Sequence, residues 1–361
     1  MTSEILPKMR AWSYQTRGPI STVLHHTDNF PTPNPSTLPP NEVLIKVAYS
    51  GLTPSASAMI PMLPTWIYKD GTAIPELEFS GTIAALGSKV LASRPELQLG
   101  TPVFGVTSIP VMLRRGLGTL AEYCPCPAER LSVVPAGMDL EHAAALGGNG
   151  VTAVQVVDAA MLKKGQKVFV NGGSGGTGSM IVQVARERVG ENGVVVSSCS
   201  EANVDLVKSL GADEVIDYRR HDPLHEYLSS EHSETRFDAI IDTIGIQELY
   251  TSSPRYLREG GRFVNIGAMQ VQSATGSLLS FAWAMFLNLL WPAWLGGTPR
   301  SYTMISGTPG VEVMIRLKKL VQDGVLTPVI DSTWEMADAM KAYERLHSQR
   351  AKGKVIVKIN K

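Results

Sequence analysis

The chain has 361 residues, enough for two domains of ordinary size, each with a sizeable core. Its 33 Lys and Arg residues balance 33 Asp and Glu residues, and only 18% of the chain is charged against 44% that is hydrophobic. This composition argues against a disordered protein, and the zero net charge argues against a nucleic acid as partner. Three cysteines are too few for a disulfide-stapled scaffold or a four-cysteine zinc site. The first residues carry an early acid and no apolar targeting stretch, so a cytoplasmic enzyme is expected.

The first 145 or so residues are expected to form strands and turns rather than helices. Glu42–Gly51 alternates apolar and polar residues and is rich in β-branched side chains, whereas Glu78–Val90 is apolar with glycine interruptions. Prolines crowd residues 31–40, which indicates a loop because proline donates no hydrogen bond to a sheet.

Helices and short apolar strands alternate from about residue 143 onward. The strand Lys167–Gly172 precedes a glycine-rich turn and a helix, and a second strand, Gly193–Ser200, follows. This alternation predicts a parallel sheet with helices on both faces. The end of the chain adds a helix over Gly310–Gly324, an extended stretch, another helix and a final strand.

The most informative residues form the glycine-rich turn. Gly173, Gly175 and Gly178 match the pattern G-x-G-x-x-G between a strand and a helix. In dinucleotide-binding sites the first glycine makes the tight turn, the second lets the backbone approach the pyrophosphate, and the third packs the helix on the strand. The phosphates then lie at the helix N-terminus, where free N–H groups and the helix dipole favour an anion.

A competing motif uses the same atoms. Ser174 lies in the pattern G-x-S-x-G, which is the nucleophile turn of α/β-hydrolases. Such an enzyme needs a downstream acid and a histidine at the same sheet edge. The candidates His221, His225 and His232 share one polar stretch that is typical of a surface helix, so the hydrolase is the weaker interpretation.

The end of the second strand indicates which dinucleotide is bound. NAD-binding sites place an acid about 20 residues beyond the glycines, where it binds the ribose 2′-hydroxyl. Here the strand ends in serines up to Ser200, and no acid occurs before Glu201. Hydroxyls without a carboxylate can accept a 2′-phosphate, and Arg219 beside Tyr218 offers positive charge, so NADPH is predicted. An ordinary serine-rich strand end remains the alternative.

At this point the sequence resembles the medium-chain dehydrogenase/reductase superfamily, in its zinc-free quinone oxidoreductase-like and enoyl reductase branch. It is also similar to reticulon-interacting oxidoreductases and to fungal trans-acting enoyl reductases of polyketide synthesis. The segments that carry the resemblance, in order, are Glu42–Ala56, Glu76–Val90, Gly118–Leu146, Gly150–Ala153, Val170–Arg186, Leu210–Tyr218, Gly261–Gly267 and Arg350–Ile359.

The resemblance implies an α/β fold in which a Rossmann doubly wound parallel sheet is inserted in a mostly β, GroES-like catalytic domain. Residues 1–145 and 305–361 would form the catalytic domain, and residues 146–304 the NADPH-binding domain with an apolar insertion at about 276–300. The implied activity is hydride transfer from NADPH to the activated C=C bond of a lipophilic enone or quinone. A trans-acting reductase of carrier-bound enoyl thioesters and a non-catalytic nucleotide-binding protein are the alternatives, because fold alone does not fix function.

The resemblance also implies site residues. A lysine that is common in the family is replaced here by Asn203, which weakens the expected preference for NADPH. The implied cofactor contacts are Ser174, Gly175, Gly176 and Thr177 on the pyrophosphate, Ser200 and Tyr218 on the 2′-phosphate, and Thr152, Ile266, Gly267 and Lys354 near the nicotinamide or its ribose.

No metal site is predicted. Zinc relatives carry a cysteine within the segment Gly51–Ser55 and a Gly-His-Glu where this chain has Leu77–Phe79, so the zinc ligands are missing. Cys124 and Cys126 are expected to be buried small hydrophobic residues. Hydrogen-bond donors must then polarise the substrate carbonyl. The candidate catalytic residues are Thr53, Tyr68 and Asn149, and the alternative for Tyr68 is a half-exposed loop aromatic.

The apolar segment Leu278–Leu295 lies in a charge-free stretch and is rich in tryptophan. Pro292 limits its helix to a length of about 21 Å, which is shorter than the ~30 Å hydrocarbon core of a bilayer. Three interpretations remain open: a buried wall of a greasy substrate pocket, a homodimer interface, or a peripheral membrane contact. The pocket wall is preferred, because a helix that is apolar on all sides is usually buried.

Overall fold

A computed structural model describes residues 5–266, 283 and 286–360. The chain forms two compact units. The first comprises Met1–Val151, Thr308–Gly324 and Pro328–Lys361, and the second comprises Thr152–Gly307 and Val325–Thr327. The boundaries expected from the sequence, at residues 145 and 305, lie slightly earlier in the chain.

Strands and helices are numbered here in chain order. The strands are β1 (Lys8–Ser13), β2 (His25–Pro31), β3 (Glu42–Gly51), β4 (Glu78–Leu86), β5 (Pro102–Val106), β6 (Tyr123–Pro127), β7 (Leu131–Val133), β8 (Lys167–Asn171), β9 (Val194–Cys199), β10 (Glu214–Asp217), β11 (Phe237–Asp242), β12 (Leu257–Asn265), β13 (Ser301–Met304), β14 (Ile330–Glu335) and β15 (Lys354–Lys358). The helices are α1 (Ile20–Val23), α2 (Pro54–Met62), α3 (Val90–Ser93), α4 (Ile109–Arg115), α5 (Leu140–Ala144), α6 (Gly147–Ala159), α7 (Gly176–Val189), α8 (Val204–Ser209), α9 (Leu224–Glu231), α10 (Gln247–Thr251), α11 (Val311–Gln322) and α12 (Ala339–His347).

The first unit is built on a sheet that distant parts of the chain complete together. Its strand order is β14-β15-β3-β4-β5-β7, with β6 also paired to β3. Strand β3 is antiparallel to β4, β6 and β15, whereas β14 and β15 are parallel to each other. Because the late strand β15 pairs with the early strand β3, the unit is discontinuous in sequence. Its apolar core includes Val43, Ile45, Phe79 and Val103, which are almost completely buried.

Helices also occur in the part of the chain that was expected to hold only strands and turns. At the start of α2 the side chain of Thr53 accepts a hydrogen bond from the Ala56 N–H, and proline occupies the first turn. Helix α4 begins in the same way, with Ser108 as its capping residue. The expectation is therefore wrong for these two segments, because capping residues and proline start helices too short to show a clear periodicity.

The second unit contains the predicted parallel sheet. Its order is β10-β9-β8-β11-β12-β13, and neighbouring strands are parallel throughout this path. The chain runs outward from β8 to β10 and then returns to β11 on the other side of β8. The strand order therefore reverses between β8 and β11, and ligands of doubly wound sheets bind at the carboxyl ends of the strands at such a point.

The apolar segment is exposed where the structure describes it. Helical residues run from 286 to 290. Trp283, Leu290 and Trp294 expose 59%, 71% and 82% of their surface. The burial assumed for an all-apolar helix is therefore wrong for these residues, while residues 278–282, 284 and 285 lie outside the described residues. No described helix is both long enough and apolar enough to cross a membrane.

Candidate active site

The glycine-rich turn connects β8 to α7 at the carboxyl edge of the second unit's sheet. A Cβ added at Gly173 would lie 2.1 Å from Ser197 Oγ, and one at Gly178 would lie 2.1 Å from the Gly172 carbonyl oxygen. At Gly175 the nearest atom would be 3.6 Å away, an ordinary van der Waals contact, so this position has room for a Cβ. Helix α7 begins at the next residue without a side-chain cap. The turn thus combines an open backbone surface with a helix N-terminus, which fits a dinucleotide pyrophosphate.

Polar residues at the strand ends hold this turn. Ser198 Oγ accepts a hydrogen bond from Gly172 N at 3.0 Å and donates to Asn171 Oδ1 at 2.6 Å. Asn171 Nδ2 in turn donates to Asp242 at 2.8 Å. The buried Asp242 carboxylate also accepts the N–H groups of Ile244 and Ile246, both at 2.9 Å. Burial raises the pKa of Asp242, whereas these hydrogen bonds lower it.

A cluster of short polar side chains lies beside the turn. Asn203 Nδ2 donates to Ser174 Oγ at 3.1 Å and to Ser200 Oγ at 3.3 Å. Asn203 is 8% exposed, and its buried Oδ1 has no hydrogen-bond partner among the described residues. The structure therefore brings together Ser174 and Ser200, two of the residues predicted from the sequence. Asn203 was noticed in the sequence only as a missing lysine, not as the residue that joins them.

The remaining charges near this cluster lie just after β10. Tyr218 is exposed, and the Arg219 guanidinium lies 5.8 Å from the centre of its ring. The acid that follows Ser200, Glu201, forms an ion pair with Arg220. The negative charge of Glu201 is thus partly offset, while Arg219 carries a positive charge beside Tyr218.

The other predicted cofactor residues are distributed over both units. Thr152 lies against Gly307, because a Cβ added there would be 2.2 Å from the Thr152 hydroxyl. Ile266 follows β12 and donates its N–H to the Asp242 carbonyl oxygen at 3.0 Å. Gly176 and Thr177 form the first turn of α7. Gly267 lies outside the described residues.

In the first unit, Thr53 is bound to a buried acid that the sequence did not single out. Glu76 Oε2 accepts hydrogen bonds from the Thr53 N–H at 3.0 Å and from the Thr53 hydroxyl at 3.4 Å. Glu76 Oε1 accepts a hydrogen bond from the Tyr343 hydroxyl at 2.8 Å. No sequence motif marked Glu76, which directly precedes the segment Leu77–Phe79 where zinc relatives carry Gly-His-Glu.

Lys354, another predicted cofactor residue, also lies in the first unit. Its Nζ is 2.9 Å from Glu78 Oε2, and both side chains are almost completely buried. The contact is not aligned as a hydrogen bond, and Lys354 Nζ has no hydrogen-bond partner among the described residues. Glycines allow the close approach, since a Cβ at Gly51 would lie 2.7 Å from Lys354 Cε and one at Gly148 only 2.4 Å from the Glu78 carboxylate.

Tyr68 and Asn149 are the other predicted catalytic residues. Tyr68 is buried, and its hydroxyl accepts a hydrogen bond from the Tyr14 hydroxyl at 2.9 Å. The alternative of a half-exposed loop aromatic is therefore wrong. Asn149 lies in the first turns of α6, directly after the glycine that contacts Glu78.

Comparisons with known proteins agree with this arrangement. A family model described as the alcohol dehydrogenase GroES-like domain matches residues 39–136, and one described as zinc-binding dehydrogenase matches residues 210–357. A trans-enoyl reductase of Penicillium oxalicum is 41% identical over 97% of this chain and 98% of its own length. A medium chain reductase of an Acremonium species is 37% identical over 98% of this chain and 99% of its own length.

The chain belongs to the medium-chain dehydrogenase/reductase superfamily. The solved structure of the quinone oxidoreductase from Coxiella burnetii has the same fold, with a TM-score of 0.76 at 24% identity over 98% of this chain and 100% of that chain. The predicted fold class, a Rossmann-like domain with a GroES-like domain, is thereby confirmed, and so is the prediction of an oxidoreductase.

Membership of this superfamily removes the hydrolase interpretation, and the structure gives the physical reason. His232 is buried rather than on the surface, and it contacts Lys167 at 3.1 Å. Lys167 begins β8, whereas Ser174 follows the end of that strand, so this histidine lies at the opposite edge of the sheet. Burial and the Lys167 charge lower the pKa of His232 to about 4, as suits a neutral packed side chain.

The cysteines behave as the sequence indicated. Cys124 and Cys126 lie in β6 and are completely buried in the core of the first unit. Burial raises the pKa of the Cys124 thiol to about 12 and that of Cys126 well above its ordinary value. Within the described residues, no group of three or more His, Cys, Asp or Glu side chains is arranged to hold a metal ion.

Proposed function

We propose that this oxidoreductase uses NADPH to reduce a C=C bond conjugated to a carbonyl group, with an enoyl thioester as the preferred substrate. The observation that carries the cofactor assignment is the cluster of Ser174, Ser200 and Asn203 beside the glycine-rich turn. It offers hydroxyl and amide groups and no carboxylate of its own, and Arg219 supplies positive charge nearby. When bound, NADPH supplies the hydride.

The chain's own residues would hold the cofactor as follows. Ser174, Gly175, Gly176 and Thr177 would bind the pyrophosphate at the N-terminus of α7. Ser200 and Tyr218 would bind the 2′-phosphate, and Asn203 would orient the Ser174 and Ser200 hydroxyls. Residues toward the nicotinamide and its ribose would be Thr152, Ile266, Gly267 and Lys354. Lys354 Nζ pairs with Glu78 at 2.9 Å, and its remaining N–H groups would bind a ribose hydroxyl.

Thr53 is the strongest candidate to contact the substrate. The residue is partly exposed, and the hydrogen bonds of its hydroxyl within the helix cap and to Glu76 fix its position. A positioned donor of this kind stabilises the negative charge that develops on the carbonyl oxygen during hydride transfer. Asn149 is proposed as a second donor. The hydroxyl of Tyr68 is bonded to Tyr14 within the core, so direct substrate contact by Tyr68 is the weakest of the three catalytic proposals.

The 41% identity to a trans-enoyl reductase favours an enoyl thioester, free or carrier-bound. A free lipophilic enone or quinone is the second candidate, because the net charge of zero offers no general attraction to an acidic carrier protein.

The test is NADPH oxidation by the purified protein with three acceptors: a trans-2-enoyl thioester of N-acetylcysteamine, a conjugated ketone of equal chain length, and a p-quinone. The corresponding saturated thioester is the control. We expect the highest kcat/KM with the enoyl thioester, and a higher kcat/KM with NADPH than with NADH. Turnover of the quinone alone would support the second candidate, and no turnover of any acceptor would contradict the proposed function.

A further inference from the structure

Glu76 is held in a conformation and an environment that are both unfavourable for glutamate. Its φ is +68°, in the left-handed region that favours glycine. Its side chain is completely buried, although a carboxyl group loses solvation when it leaves water. Two such unfavourable features persist only where the surrounding structure holds them in place, and they concentrate at functional sites.

The surroundings fix both carboxyl oxygens of Glu76. One oxygen faces the N–H and the hydroxyl of Thr53, and the other accepts the Tyr343 hydroxyl at 2.8 Å. The Glu76 carbonyl oxygen is held by the Thr119 N–H at 3.0 Å. The carboxyl group is therefore held against Thr53, a residue that is partly exposed.

Opposing effects of the surroundings set the pKa of this carboxyl group. Burial raises the pKa of Glu76 to about 7, although the hydrogen bonds from Tyr343 and Thr53 and the nearby positive charge of Lys354 lower it. The Glu78 carboxylate acts in the same direction as burial. The other ionisable group that senses Glu76 is Tyr14, which stays neutral because burial raises its pKa far above the ordinary value.

We propose that Glu76 is the internal acid that supplies, through the Thr53 hydroxyl, the proton that completes the reduction. The inference rests on the proposed function. After hydride addition to the β-carbon, the substrate is an enolate. The Thr53 O–H, which hydrogen-bonds the carbonyl oxygen during hydride transfer, then gives its proton to the α-carbon while the Glu76 carboxyl proton moves to Thr53 Oγ1. The product gains one hydride and one proton, Glu76 becomes a carboxylate, and solvent replaces its proton after the product leaves.

The geometry explains why the two residues act together. A threonine hydroxyl alone is a poor acid. A carboxylic acid whose pKa lies near the working pH is an effective general acid, because it can both give up its proton and regain one. The Glu76 carboxylate that forms is stabilised at once by Tyr343 and by the Lys354 charge. Glu76 itself does not touch the substrate in this scheme, so it is a positioning and proton-supplying residue behind Thr53.

The first test is the Glu76→Gln variant, which preserves shape and polarity but cannot act as an acid. We expect kcat to fall at least roughly tenfold with KM and the NADPH Kd nearly unchanged. Because ionised Glu76 has no proton to give, wild-type kcat should decrease above neutral pH, and this decrease should be absent from the variant. Thr53→Ser should keep activity, and Thr53→Val should lose it. A folded Glu76→Gln enzyme with wild-type kcat and pH profile would overturn the inference.

The second test separates proton supply from a merely structural role. Tyr343→Phe removes a hydrogen bond that favours the ionised carboxylate, so the alkaline decrease of kcat should move to higher pH. Tyr256→Phe is the matched control, because the Tyr256 hydroxyl is also buried but binds the Leu249 carbonyl oxygen in the second unit. An unmoved profile in Tyr343→Phe would contradict the inference.

A third measurement needs no substrate. Infrared difference spectra of wild-type protein minus Glu76→Gln, recorded from acid to alkaline pH, should show a buried protonated carboxyl group that ionises near neutral pH. A carboxylate at every pH would overturn the inference. If the spectra show the titration but no acceptor is turned over, the proposed function fails and Glu76 remains a buried acid. Turnover without any effect of Glu76→Gln would reject the inference alone.

Discussion

At the scale of single residues, the proposed binding site for the 2′-phosphate consists of short polar groups, and Asn203 stands where the resemblance implied a lysine. Asn203 joins the Ser174 and Ser200 hydroxyls by its amide, but it brings no positive charge. A 2′-phosphate carries negative charge and gains most from charge-assisted hydrogen bonds. The preference for NADPH should therefore be moderate and should depend on whether any carboxylate enters this cluster.

The first prediction concerns Ser200. Ser200→Asp places a carboxylate beside the proposed 2′-phosphate, and like charges repel, so the Kd for NADPH should rise at least tenfold, equivalent to about 1.4 kcal/mol. The Kd for NADH should change little. Both are measured by fluorescence titration. Ser209→Asp, an exposed serine of α8, is the control that adds the same charge elsewhere. Equal losses for NADPH and NADH would show that the change is not specific to the phosphate.

Site residues that belong to a sequence motif could be predicted, whereas site residues outside any motif could not. Ser174 and Ser200 were predicted because they lie at fixed places relative to the glycines, and the structure joins them through Asn203. Glu76 and Asp242 have no neighbouring pattern that marks them. Their importance comes from burial and from partners distant in sequence, and one chain without its contacts does not show this.

At the scale of elements, the turn between β8 and α7 separates two uses of glycine. Gly178 must be glycine because its neighbour Gly172 approaches too closely for any side chain. Gly175 has room for a methyl group, and this room is where the pyrophosphate is proposed to lie. One glycine is therefore required by the fold, and the other is proposed to be required by the ligand.

The second prediction compares alanine at these two glycines. Gly178→Ala should lower Tm because its Cβ would be 2.1 Å from a backbone oxygen that cannot move without disturbing β8. Gly175→Ala should keep Tm, since its Cβ would meet no protein atom closer than 3.6 Å, and yet weaken NADPH binding at least tenfold. Thermal unfolding and NADPH titration of both variants check this. Normal NADPH binding by Gly175→Ala would place the pyrophosphate elsewhere.

Strands that appear as apolar runs between helices could be predicted from the sequence, whereas the short helices α2 and α4 could not. The parallel strands of the second unit were recognised because they are buried runs between helices. Helices α2 and α4 were missed because their start signals, Thr53 with Pro54 and Ser108 with Pro110, resemble those of turns. Since α2 positions Thr53, the candidate catalytic residue was found from the resemblance, but its surroundings were not.

At the scale of the whole molecule, buried ionisable groups make stability depend on pH. The pKa of Glu76 is raised from 4.5 to about 7 in the folded chain. Below pH 4.5 the carboxyl group is protonated in both states and costs the native state nothing. Between pH 4.5 and 7 the unfolded chain loses this proton first, so the native state becomes progressively less stable as pH rises.

The third prediction tests this linkage. Glu76→Gln removes the titration, so the variant should gain stability relative to wild type as pH rises from 5 to 8, by about 3 kcal/mol at most. The stability difference between variant and wild type is compared at pH 5 and pH 8. Any hydrogen bonds that the variant loses lower its stability equally at both pH values and therefore cancel in this comparison. Urea denaturation at each pH gives the difference. Glu344→Gln, an exposed glutamate on α12, should show no such gain. A stability difference that is independent of pH would contradict the raised pKa.

The last prediction concerns the exposed apolar residues of the second unit. The rings of Trp283 and Phe286 stack with centroids 5.4 Å apart, and both side chains are exposed, so they form an apolar surface that needs a partner.

If that partner is the substrate chain, each buried methylene contributes about 0.8 kcal/mol of binding, roughly fourfold in affinity. Trp283→Ala and Phe286→Ala should then raise KM for long enoyl thioesters more than for short ones, while Leu99→Ala, an exposed apolar residue of the first unit, should not. If the partner is a second copy of the chain, the two substitutions should instead shift the elution volume on a sizing column. If the partner is a lipid surface, they should reduce sedimentation of the protein with liposomes. Unchanged chain-length preference in both variants would reject the substrate-pocket interpretation.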